Sequence, residues 1–415
     1  IYIPLYLAKT LGLKDKDIVY IKIFQNNGIR EKYSSINVRK RGKKIEYMCI
    51  IGKDLAKKRI RFTIERKNSD FTQSKSFIDL SDFLNKTNFA MTQDSNLIVF
   101  SRKLPITINP EIKLSDIALY LGAYYSDGTK KGNNWAISAS TFDQANFYLE
   151  THRSLVKNSE IEFTVSYTDT KNEDENIVIK NLKNIWIKNV GNYPYKFKIR
   201  KPLGKIFTKC AKYGTLTIRE HRIGLLDFYN YLLENLIEEI MKNNNKLLAI
   251  DFLCGILEGD GSVAAKKRGH IEIATNSHEY KNITNILNVL EIKHKIIKYG
   301  DNNYSIRIGA LEILRNFEIL KDKIFSLYPK RKRMLFDRLQ TVGAVKFLIG
   351  KHEPASWVKT WLKKNGFVDS NYELTKKGLK LRKDLKTCIK SVAPTSRVAE
   401  AWRYNPRIFK GRNIK

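Results

Sequence analysis

Two short segments place small and acidic residues at matching intervals, as a reactive site would need. The first reads Tyr120-Leu121-Gly122-Ala123-Tyr124-Tyr125-Ser126-Asp127-Gly128, the second Leu253-Cys254-Gly255-Ile256-Leu257-Glu258-Gly259-Asp260-Gly261. In each, small residues recur four apart, Gly122 with Ser126 and Gly255 with Gly259. On a helix that spacing lines a single face, and a face of small residues lets two helix backbones approach closely. Both segments then end in Asp-Gly. The pattern predicts Asp127 and Asp260 in the last turn of their helices, where the dipole is negative and a carboxylate is disfavoured. Two such carboxylates brought together need a compensating cation, and acid oxygens with positions left for water suit Mg²⁺ acting on a phosphodiester. Gly128 and Gly261 are expected in the left-handed conformation that ends many helices. A single Asp-Gly after an apolar helix is ordinarily a cap. Two with the same internal spacing argue for more.

The elements that must position these acids repeat as well. From residue 112 to about 340 each copy reads as a short apolar helix, a basic turn, a strand, an amphipathic helix, further strands and a closing helix. Gly128-Thr129-Lys130-Lys131 leads to Trp135-Ala136-Ile137-Ser138-Ala139-Ser140, and Gly261-Ser262 leads through Lys266-Lys267-Arg268 to Ile271-Glu272-Ile273-Ala274-Thr275-Asn276. The expected organisation is a small basic β-rich domain at 1–66, a Pro-punctuated linker at 67–111, halves at 112–240 and 241–341, and a helical module with a basic tail at 342–415. The class is α+β.

Lys and Arg number 76 against 42 Asp and Glu, a formal charge of +34. A surplus of that size favours a polyanionic partner, nucleic acid first. The basic clusters are spread between apolar elements and not gathered in one tail, as surfaces tracking a phosphate backbone would be. With 42% hydrophobic and 11% aromatic residues, the chain can build real cores. Cys49, Cys210, Cys254 and Cys388 form no CxxC pair and the histidines no ligand spacing, which argues against a zinc module or disulfide framework. No apolar run reaches the ~18 residues of a membrane span and no signal peptide opens the chain, so an intracellular protein, cytoplasmic or organellar, is expected.

The two nonapeptides resemble the paired motifs of single-chain LAGLIDADG homing endonucleases, over roughly residues 112–340. The departures are Tyr120 for the leading Leu, and Tyr125 in the first copy where the second has Glu258. The resemblance implies a pseudo-twofold pair of αββαββα halves packed through the motif helices, each presenting a curved antiparallel sheet to the DNA major groove. It implies site-specific hydrolysis of both DNA strands by a monomer, with Asp127 and Asp260 as catalytic metal ligands and the main chain of Ser126 and Gly259 as further donors. Mg²⁺ or Mn²⁺ would support cleavage, and Ca²⁺ binding without cleavage. By position Lys330 becomes the catalytic lysine, with Lys332 close behind and Arg219 its weaker counterpart. DNA contacts are expected from Lys130, Lys131, Lys198, Arg200, Lys266, Lys267, Arg268, Arg307, Arg331, Lys332 and Arg333, with Ser138, Glu272 and Asn276 on the reading face.

The flanks carry slighter likenesses. IPLYLAKTLGLKDKDIVYIKI at 3–23 is similar to AbrB-type DNA-binding modules, and YELTKKG at 372–378 to the wing strand of winged-helix domains. Ile1 at the start and Asn413-Ile414-Lys415 at the end lead to the expectation of a free-standing enzyme, such as an intron-encoded one, over an intein-borne one. Two competing functions remain open. One is a WhiA-type DNA-binding regulator, against which both retained aspartates argue. The other is an RNA-splicing maturase, with RNA as partner.

Overall fold

The computed structural model describes residues 2–390 except 4, 11–12, 26–27, 42–43, 50–60, 67–77, 88, 94, 101–103, 158, 168–173, 192–195, 201–212 and 265–268. The chain divides into two compact units, Ile1–Gly259 and Asp260–Lys415.

The first unit opens with β1 (Tyr2–Ile3), α1 (Leu5–Thr10), β2 (Ile18–Gln25), β3 (Gly28–Arg41), β4 (Lys44–Cys49) and β5 (Arg61–Arg66). These strands order β1-β4-β3-β2-β5, every pairing antiparallel. Of the stretch read from sequence as a linker, the described residues 78–87, 89–93, 95–100 and 104–111 are instead folded. They carry α2 (Ser81–Asn85), β6 (Phe89–Gln93), β7 (Asn96–Phe100) and β8 (Ile106–Ile108). Leu97, Val99, Ile106 and Ile108 are fully buried there, so Pro105 and Pro110 flank a strand and do not mark open chain. The prolines misled because they stand beside the strands, while Leu97, Ile98 and Val99 are buried in succession between them and β6.

The motif-bearing elements follow: α3 (Leu114–Asp127), β9 (Trp135–Ala139), α4 (Phe142–Leu155), β10 (Val156–Lys157), β11 (Glu162–Ser166), α5 (Glu175–Val190), β12 (Lys196–Arg200), β13 (Thr215–Glu220), α6 (Gly224–Asn243) and α7 (Lys246–Gly259). β10 pairs with β8, which ties the supposed linker sheet into this half. The strands of the other sheet order β12-β11-β13-β9. Here the first half departs from αββαββα. α5 and β12 are added between β11 and β13, and β12 lies parallel to β11. A helix crossover is what a parallel pair requires. Tyr167, Val178 and Leu182 bury together with Ile179, Ile199 and Tyr213 to seat that insertion.

The second unit runs β14 (Gly261–Val263), β15 (Ile271–Asn276), α8 (Tyr280–Val289), β16 (His294–Tyr299), β17 (Asn303–Ile308), α9 (Ala310–Arg315), α10 (Phe317–Leu320) and α11 (Pro329–Leu339). Its sheet, ordered β14-β15-β17-β16, is antiparallel throughout. α12 (Gly343–Leu348), α13 (Ser356–Lys364) and α14 (Lys376–Lys390) complete it. The expected wing strand at 372–378 is reduced to one bridge, Leu374 to Val368, and α14 has begun by Lys376. Gly378 is buried inside that helix because a Cβ there would lie 2.0 Å from the Phe367 carbonyl. The basic tail after residue 390 lies outside the described residues.

Candidate nucleic-acid and metal site

The site begins with the contact of α3 and α7 in the first unit. A Cβ on Gly122 would sit 2.1 Å from the Phe252 carbonyl oxygen, and one on Gly255 would sit 2.0 Å from that of Leu119. No side chain fits either place, so the two backbones touch at these glycines. One turn on, a Cβ on Gly259 would lie 2.1 Å from Ser126 Oγ and 2.7 Å from Asp127 Oδ2. The Asp127 carboxylate therefore rests against Gly259, the last residue of α7.

Both aspartates stand at a helix-to-strand junction of the same design. After Asp127, Gly128 bridges antiparallel to Ile137 on β9, and Thr129 N–H donates to Ala136 O at 2.8 Å. After Asp260, Gly261 pairs antiparallel with Ile273 on β15, and Ala274 N–H donates to Asp260 O at 3.2 Å. Asp127 closes α3, whereas Asp260 falls one residue past the end of α7. Neither following glycine is left-handed. Gly128 is extended, with φ −90° and ψ 152°, and Gly261 is already in a strand. Gly128 is required because a Cβ would lie 2.2 Å from the Tyr124 ring. The chain has to turn straight from helix into sheet, and a left-handed cap would aim it elsewhere.

Sequence reasoning missed Gln144. Thr141 and Gln144 form a capping box on α4, the Thr141 side chain accepting from Gln144 N–H at 3.1 Å. The Gln144 amide, buried, also donates to the Glu258 carbonyl at 2.9 Å. It satisfies one of the carbonyls that a helix C-terminus leaves open, two residues before Asp260. The Thr-x-x-Gln spacing was the available signal.

The sheets show the alternation that a one-sided core demands. On the first, register places Lys198 and Arg200 (β12), Glu162 and Thr164 (β11), Thr217 and Arg219 (β13) and Ser138 (β9) on one face. Phe163, Val165, Leu216, Ile218 and Ile137 are buried on the other. Glu162 is itself buried beneath the cations. Lys198 Nζ donates to it at 2.8 Å, with Arg219 Nη1 at 3.8 Å and His221 Nε2 at 3.5 Å. Burial pushes its carboxyl up, but Lys198 and His221 outweigh that and hold it below the ordinary value. On the second sheet Glu272, Arg307, Asn276 and Lys295 share a face. Arg307 Nε donates to Glu272 Oε1 at 2.8 Å and His270 Nε2 lies 3.0 Å from the same oxygen. Burial raises the Glu272 carboxyl, and His270 and Arg307 bring it net below the usual range.

Of the other expected DNA contacts, Lys130 and Lys131 lie in the loop after Gly128, where Lys130 Nζ sits 4.7 Å over the Tyr125 ring. Lys330 is exposed in the first turn of α11 with Arg333, while Lys332 Nζ is turned back to donate to Asp322 O at 3.1 Å. Arg331 stacks on Tyr328 at 4.2 Å. Lys266, Lys267 and Arg268 lie outside the described residues.

Behind the first sheet lies a buried polar chain. His152, fully buried and stacked on Trp135 with centroids 4.0 Å apart, has Nε2 2.9 Å from Glu220 Oε2 and Nδ1 2.8 Å from Tyr229 Oη. Burial, with Arg222 and Arg153 nearby, holds its pKa down to about 3. The ring is thus neutral, its one N–H donated to Glu220 and its other nitrogen accepting from Tyr229. Glu220 also pairs with Arg222, whose own pKa burial lowers to about 10.

The donors are of the kind a hard divalent cation takes: carboxylate oxygen from Asp127 or Asp260 and main-chain carbonyl oxygen at the helix ends. Among the described residues no group of three His, Cys, Asp or Glu side chains could hold a metal. A Mg²⁺ ion bound by one or two carboxylates keeps its other positions for water and phosphate.

No known family profile matches the chain. Over 175 residues it is 29% identical to a DNA polymerase of Methanocaldococcus jannaschii, which is 41% of this chain but 10% of that protein. The chain thus spans a tenth of that relative's length. Solved structures that resemble it include the N-terminal LAGLIDADG domain of DUF199/WhiA, with 15% identity over 50% of this chain and 82% of that one, TM-score 0.28. I-DmoI in complex with DNA and Ca matches with 15% identity over 50% of this chain and 91% of that one, TM-score 0.26. Full-length DUF199/WhiA from Thermatoga maritima matches with 14% identity over 69% and 92%, TM-score 0.28. Among the described residues no helix is long and apolar enough to cross a membrane.

Proposed function

We propose that this chain is a LAGLIDADG-type, site-specific endonuclease that hydrolyses both strands of duplex DNA with a divalent metal. The observation that carries the reading is the pair of duplicated motifs whose helices touch at Gly122 and Gly255, each followed by an aspartate at the same helix-to-strand junction. Helix caps alone would not need backbones this close, nor a carboxylate at two negative helix ends.

Asp127 and Asp260 would each hold a metal ion through carboxylate oxygen, with the carbonyls of Ser126 and Gly259 as further donors. Mg²⁺ or Mn²⁺, when bound, would lower the pKa of water and neutralise charge on the phosphate. The chain's own residues would do the rest. The α3–α7 contact would hold Asp127 still, and Gln144 the end of α7, so that a scissile phosphate at Asp127 would be met in fixed geometry. Lys330, exposed and cationic, would offset charge developing on that phosphate. The polar sheet faces, with Lys198, Arg200 and Arg307, would lie in the major groove, which is wide enough to admit strands. Both motifs in one chain make a monomer the expected active form, the host compartment being intracellular.

The test is cleavage of a pooled DNA library with Mg²⁺ by the wild type, Asp127→Asn and Asp260→Asn, with binding measured in Ca²⁺. Specific double-strand cuts lost in both variants, with binding kept, are expected. Site-specific binding with no cutting in any divalent metal would overturn the enzyme and leave a regulator or a maturase.

A further inference from the structure

β13 and β17 align residue for residue, Thr215-Leu216-Thr217-Ile218-Arg219-Glu220 with Asn303-Tyr304-Ser305-Ile306-Arg307-Ile308. Arg219 and Arg307 thus fall at the same register position of the two sheets, on the polar face. Their cross-strand partners correspond as well, Ala136 on β9 and Glu272 on β15. What differs is the side from which a carboxylate reaches them. Arg307 hydrogen-bonds Glu272 on β15 at 2.8 Å, whereas Arg219 has Ala136 there and lies 3.8 Å from Glu162 on the opposite neighbour, β11, where Lys198 is the closer partner at 2.8 Å. A histidine attends each carboxylate, His221 on Glu162 and His270 on Glu272. The same Arg–Glu–His grouping is assembled from different strands, so it is not a by-product of the duplicated sequence.

We propose that Arg219 and Arg307 are guanine-reading residues, each held in position by the carboxylate beside it. The inference rests on the DNA-directed reading above. It also moves Arg219 from a companion of Lys330 to the reading face. The physical argument lies in the carboxylates. An arginine meant for a phosphate gains nothing from a negative group at its side, because that group repels the phosphate. A base edge is uncharged, and guanine offers two acceptors, N7 and O6, that match a guanidinium fork. A carboxylate then lowers the conformational freedom of a long side chain while discouraging backbone contacts that carry no sequence information. Arg219 and Arg307 remain partly open, their side chains 30% and 35% exposed, while Glu162 is buried beneath its cations. Glu162 and Glu272 are therefore positioning residues.

The experiment selects bound duplexes from a randomised pool with the full chain in Ca²⁺ and sequences them. Wild type should enrich one site, and absence of any enrichment would overturn the site-specific reading itself. Given enrichment, Arg307→Ala and Arg219→Ala should each lose preference at one G·C pair, by about 5- to 150-fold, with the rest of the site unchanged. Arg307→Lys should lose the same preference while keeping overall affinity, since it keeps the charge and not the fork. Glu272→Gln and Glu162→Gln should bind random duplex more tightly and discriminate less at those pairs. An unchanged site with uniformly weaker binding in the arginine variants would make both residues phosphate contacts and end the proposal. Glutamine variants with wild-type discrimination would remove the positioning role.

Discussion

Gly255 and Gly309 show how differently one added methyl group can act. At Gly255 a Cβ would meet the Leu119 carbonyl at 2.0 Å, main chain against main chain, with no rotamer able to yield. At Gly309 nothing lies within 4 Å and the backbone is extended, with φ −72°. Overpacking a tight contact costs about 1–3 kcal/mol or more, whereas an open surface site stays within about 0.5 kcal/mol. Gly255→Ala is therefore expected to lower Tm by several degrees and Gly309→Ala to leave it unchanged, as calorimetry of both variants would show. Equal shifts would mean that α3 and α7 do not touch at the glycines. At this scale the sequence was legible, since a glycine repeated four residues before another small residue has few other uses. The aspartates were legible for the same reason, but the conformation of Gly128 was not. Whether a glycine is there for φ or for space depends on where the Tyr124 ring lies.

Among the elements, α4, β13 and α6 are joined by the His152–Glu220–Tyr229 chain, and its titration has a definite sign. The imidazole pKa is depressed from 6.5 to about 3 in the folded chain. Between those values the unfolded chain binds a proton that the folded chain refuses, so stability falls as pH falls from about 6.5 toward 3. The depressed carboxyls of Glu162 and Glu272 act in the same direction, but only near and below their ordinary value of 4.5. The pH 5–6.5 window thus belongs to histidine. Thermal melts across that window should fall with acid in the wild type and flatten in His152→Gln, whose overall Tm is lower. A variant with an undiminished slope would show that His152 titrates normally. In the sequence His152 is one of the histidines without ligand spacing, and its role is hidden there because Glu220 and Tyr229 reach it from far along the chain. The insertion of α5 and β12 was hidden for a related reason. A strand that adds at a sheet edge has the same local pattern whether it runs parallel or antiparallel.

For the whole molecule, the charge of +34 sets the strongest expectation. Binding that neutralises phosphates releases counterions, and affinity for random duplex should drop by about 10³–10⁵ between 50 and 200 mM salt if six to ten phosphates are contacted. Fluorescence anisotropy over a salt series measures the slope, and a flat response would rule out the polyanion partner that the composition suggests. The basic clusters at 266–268 and 330–333 need not contribute equally. Lys332 is engaged with Asp322, so its loss should reduce the slope less than that of the exposed Lys330.

Composition, the duplicated spacing and strand alternation are local quantities that can be read along the chain: a basic α+β chain, two apolar helices with small faces that each run into an aspartate, and polar sheet faces carrying Lys198, Arg200 and Arg307. Each depends on residues within a turn or two of one another. Long-range packing settled that Phe89–Gln93, Asn96–Phe100 and Ile106–Ile108 form a sheet inside the supposed linker, and that Gln144 caps the carbonyl of Glu258. It also decided that Glu162 lies under Arg219 from one flank and Glu272 beside Arg307 from the other. Those outcomes depend on which strand lies next to which, and on burial that no short window of sequence contains.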